Sequence, residues 1–159
     1  MVVRSVPGAA SVATPQGSKL FAPASARNAE AIGALLTAMA PTEGRALELA
    51  SGTGQHVITH AARLPGLIWQ PTEVDATRRA SIQAYVQDAG LDNILPPITL
   101  DATNPGWGTQ HSGQDLIVLV NLLHLISVSE AKCLITEAAN ALSPGGRFVI
   151  YGPFRRDGA

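Results

Sequence analysis

The chain carries a single cysteine, Cys133, so an internal disulfide is excluded and no small stapled fold is available. Cys133 falls on an apolar helical stripe, which reads as core packing in a reducing compartment rather than as a nucleophile. There is no run of Lys or Arg, and the formal net charge is -1, which leaves no electrostatic footprint for nucleic acid. Long hydrophobic runs are missing as well. The longest, Leu116 to Ile126, is broken by Asn121 and His124 and falls short of the ~20 residues that a spanning helix needs. Residues 1–20 lack any acid and are rich in Ser, Ala, Pro and Gly. They read as a loose N-terminal tail, with an organelle transit peptide as the sharper alternative. The expected location is cytoplasmic, and 159 residues suit one domain with a real core, taken as residues 21–159.

The most informative stretch runs from Arg45 to His56. Ala46 to Leu49 reads as a strand entering a tight turn with Gly52 and Gly54, and the apolar positions Val57, Ile58, Ala61 and Ala62 read as a helix opening there. Glycines let main chain approach a ligand without a Cβ in the way. A dinucleotide fingerprint would continue to a third small residue, but that position is Val57. Glu48, just before the turn, is poorly placed for a pyrophosphate, because like charges repel, and well placed for an ammonium. The turn therefore suits a nucleoside-containing ligand with an amino group; a plain strand-to-helix connection is the bland alternative.

Around this turn helical and strand patterns alternate, which predicts a parallel sheet covered by helices. Ile32, Leu35, Leu36 and Met39 mark a helix closed by Pro41 and Gly44. Leu67 to Thr72 is a second strand, followed by a helix with Ile82, Tyr85, Val86 and Ala89, capped by Asp75 and stopped at Gly90. Ile98 to Leu100 is a short third strand. The turn formers between Asp101 and Asp115 predict a loop with at most one helical turn. Leu116 to Val120 is apolar throughout, as a central strand buried on both faces should be. Ser129 is the expected N-cap of a helix through Leu142, and a fifth strand, Arg147 to Tyr151, follows Ser143-Pro144-Gly145-Gly146.

Glu48-Leu-Ala-Ser-Gly-Thr-Gly54, Glu73 after the second strand, Asp101 after the third, and Leu142-Ser-Pro-Gly-Gly-Arg147 together resemble the class I S-adenosylmethionine-dependent methyltransferases. More narrowly, Phe21-Ala-Pro-Ala-Ser-Ala-Arg27-Asn28, Trp69-Gln-Pro-Thr-Glu73, Asn121-Leu-Leu-His124 and Tyr151-Gly-Pro-Phe154 are similar to the methyltransferase-like 26 family, over residues 21–157. The resemblance implies a doubly wound, Rossmann-like α/β sheet of about five parallel strands in the order 3-2-1-4-5, with S-adenosylmethionine as cofactor and methyl transfer as activity. It departs from the family at Ala50, where a glycine is usual and which is tolerable at negative φ, and after strand five, where the antiparallel strand pair of the fold has no room. The expectation is a fragment or shortened isoform whose activity is in doubt, with the fifth strand as an unprotected edge open to self-association.

The cofactor's groups suggest partners. Glu48 would hold the ammonium and Gly52 and Gly54 the close main chain. Glu73 would accept from the ribose hydroxyls, Asp101 from the adenine amine or else cap its loop, and Arg27 would clamp the carboxylate or else lie solvated. Asn121, at the carboxyl end of the fourth strand, would face the methyl-transfer region. His124 would act as general base or stand as a structural histidine. His56 and His60 share a helix face, but no third ligand or intervening acid makes them a zinc motif. Tyr85, Trp69 and Trp107 read as packing or pocket walls, and Arg78-Arg79 and Arg155-Arg156 as solvated pairs. The methyl acceptor is open, with a small molecule or a protein expected and no membrane. A non-catalytic S-adenosylmethionine-binding module and a nicotinamide-dependent oxidoreductase are the rival readings.

Overall fold

The computed structural model describes residues 13–157. It opens with a hairpin of β1 (Thr14–Gln16) and β2 (Lys19–Phe21), paired antiparallel. The loose tail expected over residues 1–20 therefore does not extend to this segment. The rest of that tail, residues 1–12, lies outside the described residues. The hairpin is held from α3 (Ala76–Ala89), where Ser81 Oγ accepts from the Leu20 N–H at 2.8 Å and Tyr85 Oη donates to the Leu20 carbonyl at 3.0 Å.

Helix α1 (Pro23–Met39) begins with proline at its first turn, where no N–H is needed, and ends before Pro41. The central sheet is wholly parallel: β3 (Gly44–Leu49), β4 (Leu67–Pro71), β5 (Gln114–Val120) and β6 (Leu142–Tyr151), in the order β4-β3-β5-β6. Helix α2 (Gln55–Arg63) links β3 to β4, and α5 (Val128–Ala141) links β5 to β6.

Alternation along the two central strands divides the core. Ala46, Leu116 and Val118 face Ile32, Leu36, Val57, Ala61 and Ile82 of α1 to α3. Leu47, Leu49, Ile117 and Leu119 face Leu134, Ala138 and Ala141 of α5 and Trp107 of α4 (Trp107–Gln110), the single helical turn expected in that loop. Both faces of β3 and β5 are dry, which is why these strands read as near-continuous apolar runs.

Three expectations change. The third strand is absent as a strand. Ile94 and Ile98 make isolated parallel bridges to Trp69 and Thr72 on the outer edge of β4, because Pro96 and Pro97 lack the N–H groups that would continue a ladder. The sheet thus has four strands, with the expected third segment beside the second. The cap of α5 is Ser127 rather than Ser129: its Oγ accepts from the Glu130 N–H at 3.2 Å, while the Glu130 carboxylate accepts from the Ser127 N–H at 2.7 Å. Ser127-Val-Ser-Glu130 is a capping box, and Ser129 has no such acid three residues on. Finally, β6 starts at Leu142, five residues early, with a register irregularity that lets Ser143 to Gly146 bulge between the Gln114 and Leu116 pairings.

Candidate functional site

From β3 the chain moves to β4 on one side, and from β5 to β6 on the other. The carboxyl ends of β3 and β5 are therefore the point where the winding reverses, the place at which ligands enter open α/β sheets. Leu49 pairs with Leu119, so the glycine turn after β3 and Asn121 after β5 emerge side by side.

The turn is tightly braced. The Ser51 N–H donates to the Thr72 carbonyl at 2.7 Å, and the Thr72 hydroxyl donates to the Glu48 carbonyl at 2.8 Å. Gly54 lies at φ +98°, and a Cβ there would stand 2.8 Å from Ile82 Cα, so this glycine lets α3 close on the turn. Gly52, at φ +63°, differs: a Cβ would meet nothing within 4 Å. Its exposed side is open space for a ligand. Ala50 does not meet the condition of negative φ under which its methyl is tolerable; it takes φ +50°. The turn has the shape a glycine would favour, and the alanine methyl makes it strained by about 1–2 kcal/mol.

Two carboxylates flank the turn. Glu48 is buried, and its Oε2 has no hydrogen-bond partner. Burial pushes its acid up to about 8, against the effect of a Ser51 hydrogen bond and with that of the nearby Glu73 charge. Glu73 is equally buried, and each of its oxygens accepts one main-chain bond, Oε2 from the Gly52 N–H at 2.9 Å and Oε1 from the Asp75 N–H at 3.1 Å. Asp75 caps α3 as expected, accepting from the Arg78 N–H at 2.8 Å.

The remaining expected residues are arranged more loosely. Asp101 Oδ1 accepts from the Thr103 N–H at 2.9 Å and its hydroxyl at 2.6 Å, so here it caps its own loop. Asn121 takes φ +55°, a conformation asparagine tolerates, and its N–H donates to the Tyr151 carbonyl at 2.8 Å. That bond joins the carboxyl ends of β5 and β6. His124 lies exposed in a 3-10 turn, Leu123–Leu125, and Arg27 is exposed on α1. No hydrogen bond ties either of them to the glycine turn among the described residues. Glu48, Gly52, Gly54 and Glu73 thus form one cluster, with Asn121 at its border.

Sequence reading missed Gln55. Its Oε1 accepts from the Ala22 N–H at 2.7 Å and from the Thr53 hydroxyl at 2.8 Å, fastening the entrance of α1 to the glycine turn. The partners lie 33 residues apart, and no local spacing signals such a link. His56 and His60 are stacked, with ring centroids 5.6 Å apart, and His60 also leans on Trp69 at 5.4 Å. Both nitrogens of His60 are buried without partners. Burial, then the charges of His56 and Arg63, lower His60 to about 3. Trp69 and Trp107 are core residues.

Solved structures with the same fold include three methyltransferases. An O-methyltransferase family protein from Burkholderia thailandensis matches with a TM-score of 0.67 at 20% identity, covering 80% of this chain and 38% of that one. The glycopeptide N-methyltransferase MtfA complexed with (S)-adenosyl-L-methionine matches with 0.65 at 15%, covering 76% and 48%. The mitomycin 7-O-methyltransferase MmcR matches with 0.69 at 17%, covering 85% and 38%. The chain spans about 36–52% of the length of the first such structures. These likenesses establish a Rossmann-like α/β fold. Residues 19–159 match the family described as protein of unknown function (DUF938), and the chain belongs to that family.

Proposed function

We propose that the chain binds S-adenosylmethionine at the carboxyl edge of β3 and serves methyl transfer to a small-molecule or protein acceptor. One observation carries this reading: a buried carboxylate oxygen without a partner, Glu48 Oε2, stands beside a glycine, Gly52, whose side toward the solvent is empty. A buried carboxyl without a partner keeps its proton until a cation meets it, and an open glycine gives a ligand access to main chain. These residues suit a group with an ammonium on a nucleoside. When bound, S-adenosylmethionine supplies a methyl on a sulfonium, already a good leaving group.

In this reading Glu48 holds the ammonium, Gly52 and Gly54 form the close wall, and the free lone pairs of Glu73 accept from the ribose hydroxyls. Asp101 borders the adenine, and Arg27 reaches the carboxylate from α1. Asn121 orients the acceptor at the end of β5, and His124 takes a proton from it. Transfer then depends mainly on alignment of nucleophile and methyl. The narrower kinship with the methyltransferase-like 26 family rests on the Phe21 to Asn28, Trp69 to Glu73, Asn121 to His124 and Tyr151 to Phe154 segments. A reducing, cytoplasmic setting, without nucleic acid or membrane as partner, belongs to the same reading. No helix among the described residues is long and apolar enough to cross a membrane.

Titration calorimetry with S-adenosylmethionine, S-adenosylhomocysteine and NAD tests the proposal. Binding of the first two and not of NAD is expected. No heat with either overturns it, and NAD binding alone favours an oxidoreductase; binding without turnover on any acceptor favours a non-catalytic module. The outer edge of β6, unpaired among the described residues, is also proposed to pair with a second copy; a monomeric mass by light scattering at high concentration overturns that.

A further inference from the structure

At the opposite, amino ends of β3, β4 and β5 the sheet holds a recess of about 230 Å³, lined by Arg45, Ile68, Gln70, Leu95, Ile98 and His111 among others. It lies about 13 Å of strand away from the glycine turn, four residues along β3. Ile68 and Gln70 alternate with the buried Leu67 and Trp69, so they point to the face that α5 and α4 cover further along the sheet. Helix α4 is only four residues long and is drawn onto α5 by the Gly108 N–H donating to Glu137 Oε2 at 2.6 Å. Among the described residues the face over β4 is thereby left bare. Ile68 and Leu95 each remain 44% exposed.

The polar groups of this recess are one-sided. Among its lining residues are a guanidinium and an imidazole and no carboxylate. Arg45 Nη1 lies 3.6 Å from where a Cβ on Gly113 would stand, beside the loop that carries His111. Asp115, the acid nearest in register, accepts from the Arg45 main-chain N–H at 2.8 Å and makes no ion pair with its guanidinium. Among the described residues the Arg45 side chain has no ionic partner. Both N–H groups of Gln70 are spent on the Pro71 and Pro96 carbonyls, so the side chain is fixed. His111 is held below its usual range by burial and then by Arg45.

We propose that this recess binds a small apolar monocarboxylate of about ten non-hydrogen atoms, with its carboxylate on Arg45 and its chain on Ile68, Leu95 and Ile98. A guanidinium offers a carboxylate two parallel hydrogen bonds, and the apolar floor gains by losing contact with water. The recess is too small for a folded partner's helix, which favours a free molecule. The site is independent of the cofactor reading.

Octanoate and its neutral isostere octanamide are the probes, titrated into the full chain labelled with ¹⁵N and followed by two-dimensional NMR. Saturable shifts at Arg45, Ile68, Leu95 and Ile98 are expected for octanoate, with Kd around 1 mM, and at least tenfold weaker shifts for octanamide. Arg45→Met should weaken octanoate at least tenfold while leaving the spectrum otherwise folded. Leu95→Asp, at an exposed floor position, should do the same by placing like charge beside the carboxylate. Equal binding of octanoate and octanamide, indifference to Arg45→Met, or shifts confined to other regions overturns the proposal. Binding of S-adenosylmethionine measured on the same variants should be unchanged.

Discussion

The main-chain N–H of Gly52 donates to Glu73 Oε2 at 2.9 Å, so the acid just past the end of β4 holds the shape of the turn that follows β3. The same carboxylate accepts from Asp75, the cap of α3. Glu73 therefore fastens a glycine turn and a helix start at once, and any ligand bonding to it meets a carboxylate already aimed.

Removing that carboxylate should be felt in two ways. Glu73→Ala leaves the Gly52 and Asp75 N–H groups without their acceptor, which costs about 1–3 kcal/mol and lowers the melting temperature. It should also weaken S-adenosylmethionine at least tenfold by calorimetry. A destabilised variant with unchanged affinity would remove the ribose assignment while keeping the structural one.

On the proposed reading, binding of S-adenosylmethionine should release a proton from Glu48. Its acid is raised to about 8, so the folded, ligand-free chain holds a proton there at pH 7 that a free Glu would have lost. Stability from this group is full below pH ~4.5 and is lost as pH rises through about 8. A ligand ammonium needs the ionised form, so affinity should rise with pH toward that value. Calorimetry at pH 7 in buffers of differing ionisation enthalpy should show close to one proton released. Glu48→Gln should abolish the release; an identical buffer dependence in that variant would exclude Glu48 as its source.

Ala50 and Gly54 should respond in opposite directions to exchange of glycine and alanine. Ala50→Gly relieves a left-handed alanine at φ +50°, a gain of about 1 kcal/mol and roughly 2–4 °C in Tm. Gly54→Ala, with a Cβ 2.8 Å from Ile82 Cα at φ +98°, should cost about 2–4 kcal/mol. Thermal melts of the two variants check both. A Tm unchanged or lowered by Ala50→Gly would count against strain at that position.

His60 should make the fold acid-sensitive. The unfolded chain protonates this imidazole below pH ~6.5, whereas burial delays protonation in the folded state to about 3. The unfolded state thus binds more protons between those values, and stability is lost as pH falls through that window. His56, stacked on it, is lowered by burial and acts in the same direction. His60→Phe should flatten the decline in Tm between pH 6.5 and 4. An unaltered decline would place the acid sensitivity elsewhere.

Elements whose signal is local were legible from sequence. The cap at Asp75 and the stop at Gly90 follow from side chains reaching their own main chain or allowing a left-handed residue. The buried β3 and β5 announce themselves as apolar runs, because a doubly covered strand has no wet face. The glycine turn with its preceding acid, from which the proposed cofactor class is argued, rested on the same kind of short-range chemistry.

What failed was decided by neighbours distant in sequence or by competition between nearby candidates. Pro96 and Pro97 reduced the third strand to bridges, since a ladder needs N–H groups that these residues lack. Ser127 took the cap from Ser129 because only it has Glu130 three residues on. The sign of φ at Ala50 and the engagement of Glu73 with Gly52 could be known only once β3 and β4 were paired.

The amino acids by themselves determined the alternation of strands and helices, the two-faced core and the carboxylates beside a glycine turn, because these depend on periodicity and on groups within a few residues. Only the tertiary structure decided which acid oxygen stays unpartnered and which acid is braced by main chain, and that α4 is too short to cover the face over β4. Those outcomes depend on which surfaces packing removes from water, a property of the assembled chain rather than of any segment.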